Sequence, residues 1–328
     1  MTAPRGRLFI LAGPTASGKT AEAVRLAHAL GGPERVELVG ADSVQVYKGL
    51  SLGSAAPRPE ELRGLTHHLV GVVELTEPFD ASRFVALADP CIDDIRARGK
   101  IPLVVGGTGL YLQALIRGLA PGIPRDQALR SALETRAGTD PSGLAGLHAE
   151  LATLDPDYAA KIHPTDRIRI VRALEVCRTT GVPYSEHHRQ HRAQGPRYDA
   201  WIAALSLRPE LLRARIEARA RSMLNQGWLN ELEALLKQGY SSELKPFQTV
   251  GQKQLMEYIK GSIPRTALEG MIVKATWTYA RQQRTWLRGM EGVTWEAPGA
   301  LLSPEGVERV RAFLAEGAPR EWEGGAEG

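Results

Sequence analysis

A glycine-rich loop between an apolar run and a helical pattern constrains this chain more than any other feature. The loop, residues 13–20, follows the apolar run 8–12 and precedes the helical pattern 21–30. Its glycines let consecutive backbone N–H groups point at one anion, and the helix N-terminus adds partial positive charge there. The order strand, phosphate-binding loop, helix predicts an α/β fold built around a bound diphosphate or triphosphate.

The end of this loop predicts the chemistry. In such loops the lysine reaches the outer phosphates, and the hydroxyl group of the next residue binds a magnesium ion. We therefore predict catalytic roles for Lys19 and Thr20, with Mg²⁺ as the cofactor and Thr20 as its protein ligand. Backbone amides recognise oxyanions and not the group that the phosphates carry, so the loop alone leaves the ligand open. The predicted diphosphate-binding residues of the loop are Gly13, Pro14, Thr15, Ala16, Ser17, Gly18, Lys19 and Thr20.

Strand and helix patterns alternate up to about residue 120. Residues 36–41 and 101–105 are apolar runs, and residues 67–73 predict a strand or an edge segment. Residues 81–98 predict an amphipathic helix that Pro90 kinks or splits. This alternation predicts a doubly wound parallel sheet flanked by helices, of the P-loop NTPase-like kind.

The pattern changes after residue 120. Pro121-Gly122-Ile123-Pro124 breaks it, and residues 126–181 predict helices with no strand. We predict an α/β core at 1–120 and 198–328, with an all-helical domain inserted at 121–197. After the insertion we predict strands at 201–207 and 293–295, and helices at 210–239, in two pieces around Gly227, at 271–288 and at 304–316. We expect the tail at 324–328 to be disordered.

Arginine is concentrated in the inserted region. Residues 165–197 contain seven arginines and three carboxylates, an excess of four. Guanidinium-rich segments suit a phosphate backbone, although a solvated helix face has a similar composition. The arginines are Arg167, Arg169, Arg172, Arg178, Arg189, Arg192 and Arg197.

Several other classes of protein are disfavoured. No apolar run is long enough to span a bilayer and the N-terminal residues lack a signal pattern, so we expect a cytoplasmic protein. Cys91 and Cys177 lie far apart without metal-ligand spacing, which indicates neither a disulfide framework nor a zinc site. No feature calls for an obligate protein partner, and we expect a monomer.

Polar residues follow the second apolar strand. Asp42 comes where that strand ends, and in an open parallel sheet the carboxyl ends of the strands face the ligand. Asp42 could assist magnesium, act as a general base, or cap the next turn. Ser43, Gln45 and Tyr47 supply hydrogen-bonding groups and an aromatic ring that suit a nucleobase.

Three further segments could contact phosphates or RNA. Residues 106–109 allow close backbone approach and offer the Thr108 hydroxyl group. Arg215 and Arg219 share a helix face, where they could clamp a diphosphate or a nucleic-acid phosphate, or simply be exposed. Residues 279–288 interleave arginines with aromatic side chains, a pattern that suits RNA or a buried helix face.

Together these motifs resemble the bacterial tRNA dimethylallyltransferases. The resemblance runs from about residue 7 to 288, and its motifs lie at 13–20, 42–47, 67–69, 106–111 and 172–176. It implies a P-loop fold with an inserted helical domain. It also implies transfer of a dimethylallyl group from dimethylallyl diphosphate to N6 of the adenosine on the 3′ side of the anticodon.

The resemblance also implies roles for particular residues. Asp42 would take the proton of the adenine amino group. Separately from the resemblance, its place on the helix makes Arg219 our predicted diphosphate-binding residue outside the loop. The partners would be a tRNA anticodon stem-loop and dimethylallyl diphosphate. The chain departs from the family pattern at Gln252, Trp277, Gln282 and Leu287. The implied tRNA-binding residues are Asp42, Ser43, Val44, Gln45, Thr108, Ile168, Arg169, Ile170, Val171 and Arg172.

Two other functions compete with this one. Small-molecule and nucleoside kinases also combine a phosphate loop with an aspartate at a strand end, but they use a smaller lid than this helical insertion. An RNA-binding module without catalysis would account for the arginines and leave the phosphate loop and Asp42 without a role.

Overall fold

The computed structural model describes residues 5–119, 126–138 and 141–315. The strands within these ranges agree with the sequence prediction to within about two residues, except at the third strand. They are β1 (Arg7–Ala12), β2 (Val36–Ala41), β3 (His67–His68), β4 (Ile101–Gly106), β5 (Asp199–Leu205) and β6 (Val293–Glu296).

These strands form one sheet in the order β3-β2-β4-β1-β5-β6. Every neighbouring pair is parallel. The loops that follow β1, β2 and β4 therefore leave the sheet at the same edge, where ligands bind in folds of this kind. The predicted parallel α/β fold is confirmed.

Helices cover both faces of the sheet. Alternate side chains of β1 enter two cores, with Leu8 and Ile10 on one face and Phe9 and Leu11 on the other. The described helices are α1 (Lys19–Ala29), α2 (Pro59–Leu62), α3 (Ala81–Ala97), α4 (Gly109–Arg117), α5 (Gln127–Ala137), α6 (Pro141–Leu154), α7 (Pro156–Ala159), α8 (Arg167–Thr180), α9 (Tyr184–Ala193), α10 (Pro209–Asn225), α11 (Trp228–Lys237), α12 (Gln252–Ile259), α13 (Arg265–Arg288) and α14 (Pro304–Leu314).

The sheet and its covering helices form one compact unit. Helices α3 and α4 pack on the face that carries Leu8 and Ile10, and α1 and α14 pack on the other face. The predicted division of 210–239 is confirmed, because α10 ends before Gly227 and α11 begins after it. Gly227 has a φ of 95°, a conformation that favours glycine and ends a helix.

Two local predictions differ from the structure. Pro90 does not split α3, which continues to Ala97, and a kink at Pro90 stays a prediction. Ile92 and Ile95, beyond the proline, are fully buried, and their burial offsets the roughly 3 kcal/mol cost of a proline inside a helix. The third strand is shorter than predicted, because Leu69 has a φ of 62°, in the left-handed region, and turns the chain out of the sheet.

The second compact unit comprises residues 117–197, between β4 and β5. Its described residues contain the helices α5 to α9, and its role as an inserted domain stays a prediction. Leu133, Leu147, Leu151 and Leu174 are fully buried in a core that belongs to this unit.

Among the described residues, no helix combines the length and hydropathy needed to cross a bilayer. The break predicted at 121–124 and the tail predicted at 324–328 lie outside the described ranges.

Candidate active site

The phosphate loop, residues 13–20, connects β1 to α1. Ala16 and Gly18 have positive φ values of 62° and 89°, which curl the loop in front of the helix. No side chain caps the N-terminus of α1 within the described structure. The Ser17 hydroxyl oxygen is buried and has no hydrogen-bond partner there. Free helix N–H groups and an unpaired buried hydroxyl group are what an incoming oxyanion requires.

Lys19, near the end of this loop, has a perturbed pKa. Its Nζ is 3.5 Å from the Pro14 carbonyl oxygen. Burial lowers the pKa of Lys19 to about 8; the nearby Asp42 opposes this shift and Arg219 adds to it. Burial likewise lowers the pKa of Arg219, which Asp42 opposes. The structure thus brings together three of the predicted site residues, two cationic and one anionic.

Two side chains from distant segments hold the phosphate loop in place. The buried Gln283 accepts a hydrogen bond from the Thr15 N–H at 2.7 Å and donates one to the Gly107 carbonyl oxygen at 2.9 Å. Arg215 donates to the Ser17 carbonyl oxygen at 2.8 Å. Arg215, which we considered as a phosphate clamp, therefore supports the loop backbone.

Asp42 directly follows β2. Its side chain caps the next turn and also lines the cavity beside the phosphate loop. Its Oδ1 accepts hydrogen bonds from the Val44 N–H at 2.9 Å and the Gln45 N–H at 3.2 Å. These bonds fix the carboxylate orientation, while the described residues provide no hydrogen bond to Oδ2. The capping role and a chemical role are therefore compatible, because they use different oxygens.

The loop after β4 supports the Asp42 turn. Thr108 Oγ1 accepts a hydrogen bond from the Ser43 N–H at 3.2 Å, and Tyr279 lines the same site. Burial raises the pKa of Tyr279 to about 12, and the nearby charge of Asp42 adds to this shift. Tyr279 therefore stays a neutral hydrogen-bonding group at physiological pH.

A cavity of about 280 Å³ opens beside the phosphate loop. Lys19, Asp42 and Arg219 line it together with Ser43 and Val44. Helices α10, α11 and α13 supply most of its apolar side chains, and residues 53–55 and 248–250 complete the wall. The apolar wall includes Ile216, Ala220, Met223, Trp228 and Ile272. One cavity therefore offers an oxyanion site, a carboxylate and an apolar wall.

The described residues contain no cluster of three or more His, Cys, Asp or Glu side chains that could hold a metal ion. The Thr20 hydroxyl group, in the first turn of α1, is an oxygen ligand of the kind that Mg²⁺ accepts. A metal at this position would depend on further oxygens from a bound ligand.

Family comparisons agree with the geometry of this site. A family model described as IPP transferase matches residues 45–290, and one described as isopentenyl transferase matches residues 6–77. The chain belongs to the IPP transferase family. The resemblance predicted from the sequence motifs is confirmed.

Named relatives of this IPP transferase are similar over most of their length. A tRNA dimethylallyltransferase of Sorangium cellulosum is 44% identical, over 86% of this chain and 88% of that protein. A tRNA dimethylallyltransferase of Anaeromyxobacter dehalogenans is 45% identical, over 92% of this chain and 98% of that protein.

Solved structures are similar as well. The tRNA isopentenylpyrophosphate transferase of Bacillus halodurans has a TM-score of 0.67 at 32% identity, over 94% of this chain and 95% of that chain. A eukaryotic dimethylallyltransferase acting on tRNA has a TM-score of 0.74 at 28% identity, over 94% of this chain and 78% of that chain.

The implied RNA-binding segment of this IPP transferase lies in the helical unit, at the start of α8. Ile168 is 74% exposed and Arg169 is exposed, with an ion-pair distance of 3.4 Å to Asp166. The side chains of Ile170 and Val171 are buried in the core of the unit. RNA contact by this segment stays a prediction, and the exposed pair offers the accessible side chains.

Arg172, the last residue of that segment, pairs with a buried carboxylate. Its Nη1 is 2.9 Å from Glu175 Oε2, and Glu175 is fully buried. Removing either partner would leave an uncompensated charge in the unit.

Sequence patterns did not single out several residues of the site. Gln283 is one buried polar residue on a long helix, and Met223, Trp228 and Ile272 have the spacing of ordinary core residues. A glutamine at a position where the helix pattern places buried residues was the sequence signal that could have identified Gln283. The Gln45 amide donates to the Ser54 carbonyl oxygen at 3.3 Å, and contact of Gln45 with tRNA stays a prediction.

Proposed function

We propose that this IPP transferase moves the dimethylallyl group of dimethylallyl diphosphate to N6 of the adenosine on the 3′ side of the anticodon in tRNA. The observation that carries the proposal is the single cavity that combines a phosphate loop, an unpaired carboxylate oxygen and an apolar wall. The names of the relatives support the choice of donor and acceptor.

The diphosphate binds at the polar end of the cavity. The N-terminus of α1, the Ser17 hydroxyl group and the cations Lys19 and Arg219 stabilise its negative charge, which grows as the carbon–oxygen bond breaks. Gln283 and Arg215 keep the loop in the conformation that presents these groups. Preorganised donors of this kind act without reorganisation during the reaction.

Asp42 serves as the general base. The adenine amino group is a poor nucleophile, because its lone pair is delocalised into the ring, and it gains strength as its proton leaves. Oδ2 of Asp42 takes that proton while Oδ1 remains held by the capped turn. Thr108, through its bond from the Ser43 N–H, positions the turn and does not itself react.

The bonds balance as a substitution at carbon. A bond forms between adenine N6 and C1 of the dimethylallyl chain, and the bond between C1 and the diphosphate oxygen breaks. Diphosphate leaves with the electron pair, and the N6 proton moves to Asp42. The apolar residues Ile216, Met223 and Ile272 surround the hydrocarbon chain and keep water from the reacting carbon.

Mg²⁺ would be held by the Thr20 hydroxyl group together with diphosphate oxygens, and it would neutralise charge on the leaving group.

The tRNA presents its base from a single-stranded loop. Unstacking the adenosine costs a few kcal/mol, and this cost is lowest where the base is already unpaired. Ile168 and Arg169 are the proposed contacts of the helical unit with the anticodon stem-loop, while Ser43 and Val44 line the cavity that receives the base. A cytoplasmic location and a monomeric state stay predictions from the sequence.

One assay tests the proposal. The protein is incubated with Mg²⁺, an anticodon stem-loop that contains three consecutive adenosines, and either dimethylallyl diphosphate or ATP, and the RNA is then weighed by mass spectrometry. The expected result is a mass gain of one five-carbon unit with the prenyl donor only. ATP consumption without prenyl transfer would instead favour a kinase.

Asp42→Asn is the matched variant, because asparagine keeps an oxygen that can cap the turn. We expect transfer to slow by roughly 10²- to 10⁴-fold, the usual loss for a general base, with donor affinity nearly retained. Unchanged turnover would remove Asp42 from this role.

A further inference from the structure

Residues 69–73, which follow β3, run beside the turn that carries Asp42 and bond to its backbone. Three consecutive N–H groups, those of residues 71–73, donate to the carbonyl oxygens of Gln45 and Val46 at 2.8 to 3.0 Å. We call residues 69–73 the bracing segment. The backbone directly after Asp42 is therefore held from outside the turn as well as by the Asp42 side chain.

The bracing segment spans the turn between two points where the chain pairs in parallel. Before the turn, Val39 pairs with His68 in the sheet, and after it Tyr47 pairs with Val73 in an isolated bridge. Seven residues separate Val39 from Tyr47, but only four separate His68 from Val73. The strand that carries Asp42 thus has three more residues than its partner, and this excess forms the turn. The position of the turn depends on both pairings.

The backbone of the bracing segment bends sharply to follow the turn. Leu69 and Gly71 have φ values of 62° and 61°, both in the left-handed region. This conformation is strained for Leu69, because its Cβ approaches the following carbonyl oxygen. The Leu69 side chain is nevertheless buried, in the same core as Ile10. A strained residue persists only where its surroundings hold it, so the residue before Leu69 has to be firmly attached.

His68, the residue before Leu69, is attached to β2 through a side-chain bond. Its Nε2 is 2.7 Å from Glu37 Oε2, and Nε2 is the donor because a carboxylate only accepts. Glu37 is 3% exposed, and Arg98 and Lys100 hold its two oxygens at 2.8 and 2.9 Å. Since β3 has only two residues, the bond from His68 to this fixed carboxylate strengthens a short pairing.

We propose that His68 is a positioning residue for Asp42. Its bond to Glu37 fixes the bracing segment, and the segment holds the turn that aims Asp42 Oδ2 at the adenine amino group. The inference rests on the proposed function, because the transfer of the N6 proton to Asp42 is the step that needs this geometry. His68 itself exchanges no proton and forms no bond during the reaction. The described lining of the cavity does not include His68, so it acts through the backbone.

His68→Phe tests the proposal, because it removes the donor and keeps a ring of similar size. Glu37 retains Arg98 and Lys100, so the variant leaves no unpaired buried charge. A displacement of about 1 Å at a reacting group costs about 100-fold in rate, and we expect kcat for prenyl transfer to fall by about 10- to 100-fold. The rate is expressed per donor-binding site, so that misfolded protein does not contribute.

Donor affinity and a conservative variant separate positioning from a general loss of structure. The dissociation constant for dimethylallyl diphosphate, measured by calorimetry without tRNA, should stay within about twofold in His68→Phe, because Gln283 and Arg215 hold the phosphate loop independently. His68→Gln restores an N–H donor towards Glu37 and should recover most of the lost rate.

A double-mutant cycle tests whether His68 acts through Asp42. Added to Asp42→Asn, which keeps the capped turn without the base, His68→Phe should change the residual rate by less than about threefold. Lys48→Met is the matched control, since it removes an exposed ion pair with Glu74 at the other end of the bracing segment. It should keep kcat within about twofold.

Three results would overturn the inference while leaving the proposed function intact. They are an unchanged kcat in His68→Phe, an equal fold-loss with and without Asp42→Asn, and a rate for His68→Gln as low as that for His68→Phe. A loss of donor affinity as large as the loss of kcat would likewise assign His68 to the structure as a whole. Absence of prenyl transfer by the wild-type protein would overturn the proposed function and the inference with it.

Discussion

Donor binding should weaken as the pH rises above about 8, because Lys19 loses its proton there. Burial lowers the pKa of this lysine to about 8; Asp42 opposes the shift and Arg219 adds to it. With that pKa, about nine tenths of the lysine is charged at pH 7 and about one tenth at pH 9. If the charged form alone binds dimethylallyl diphosphate, its dissociation constant should rise about tenfold between these two pH values.

The bound diphosphate should restore the charge of Lys19, so binding at pH 9 takes up a proton. Calorimetric titration without tRNA, in two buffers with different ionisation enthalpies, measures both affinity and proton uptake. We expect uptake of about 0.9 proton at pH 9 and about 0.1 at pH 7. Lys19→Arg is the matched control, because a guanidinium stays charged throughout this range. A similar loss of affinity in both proteins, or no proton uptake at pH 9, would refute the assignment.

Three further changes test other parts of the structure. Gln283→Met should lower the free energy of unfolding in urea by about 2 kcal/mol, since it leaves a buried donor and acceptor unpaired. The exposed neighbour provides a control: Gln282→Met should change it by less than about 0.5 kcal/mol, and equal losses would contradict the bridging role. The free energy of unfolding of the wild-type protein should fall as the pH falls from 6.5 towards 4. Burial lowers the pKa of His67 to about 4 in the folded protein, so in this pH range His67 takes up a proton mainly in the unfolded chain. His67→Phe should flatten this dependence, and an unchanged slope would exclude His67 as its source. Arg169→Gln should reduce the slope of log affinity for the stem-loop against log salt by about 0.7 to 0.9. Arg178→Gln removes a less exposed arginine that is hydrogen-bonded to Glu150, and it should change the slope little.

The phosphate loop and the Asp42 turn could be predicted because neighbouring residues determine them. Strand, loop and helix follow one another within residues 7–29, and the hydrogen bonds of Asp42 reach only two and three residues ahead. The parallel sheet was predictable for a related reason. Strands β1, β4 and β5 are short apolar runs that are each followed by a helical pattern, and such units pack in few ways.

The apolar wall of the cavity could not be predicted in the same way. Met223, Trp228, Ile272 and Tyr279 come from three helices that are distant in sequence from the phosphate loop. Their helical spacing is that of any core-facing residue, so only tertiary packing distinguishes a wall residue from a core residue. The bridge made by Gln283 was hidden for the same reason, because its partner Thr15 is 268 residues away.

Charge counting along the sequence overstated the basic character of the helical unit. Arg178 pairs with Glu150 of α6, and Glu150 lies outside the counted segment. A linear count cannot include partners that folding brings in from other helices. Helical spacing on α10 could not separate the roles of two arginines for the same reason. Arg215 and Arg219 share a helix face, yet Arg215 supports the loop backbone and Arg219 lines the cavity.

The bridge from Gln283 to the phosphate loop also sets when the protein can become active during its own synthesis. Thr15 leaves the ribosome early, and β5, which pairs with β1, is made only after the helical unit. Gln283 follows still later, on α13. A nascent chain therefore carries a complete phosphate-loop sequence long before the loop is held in shape. Ribosome-bound chains should neither sequester the prenyl donor nor modify the tRNAs around them, and competence should arise only near release.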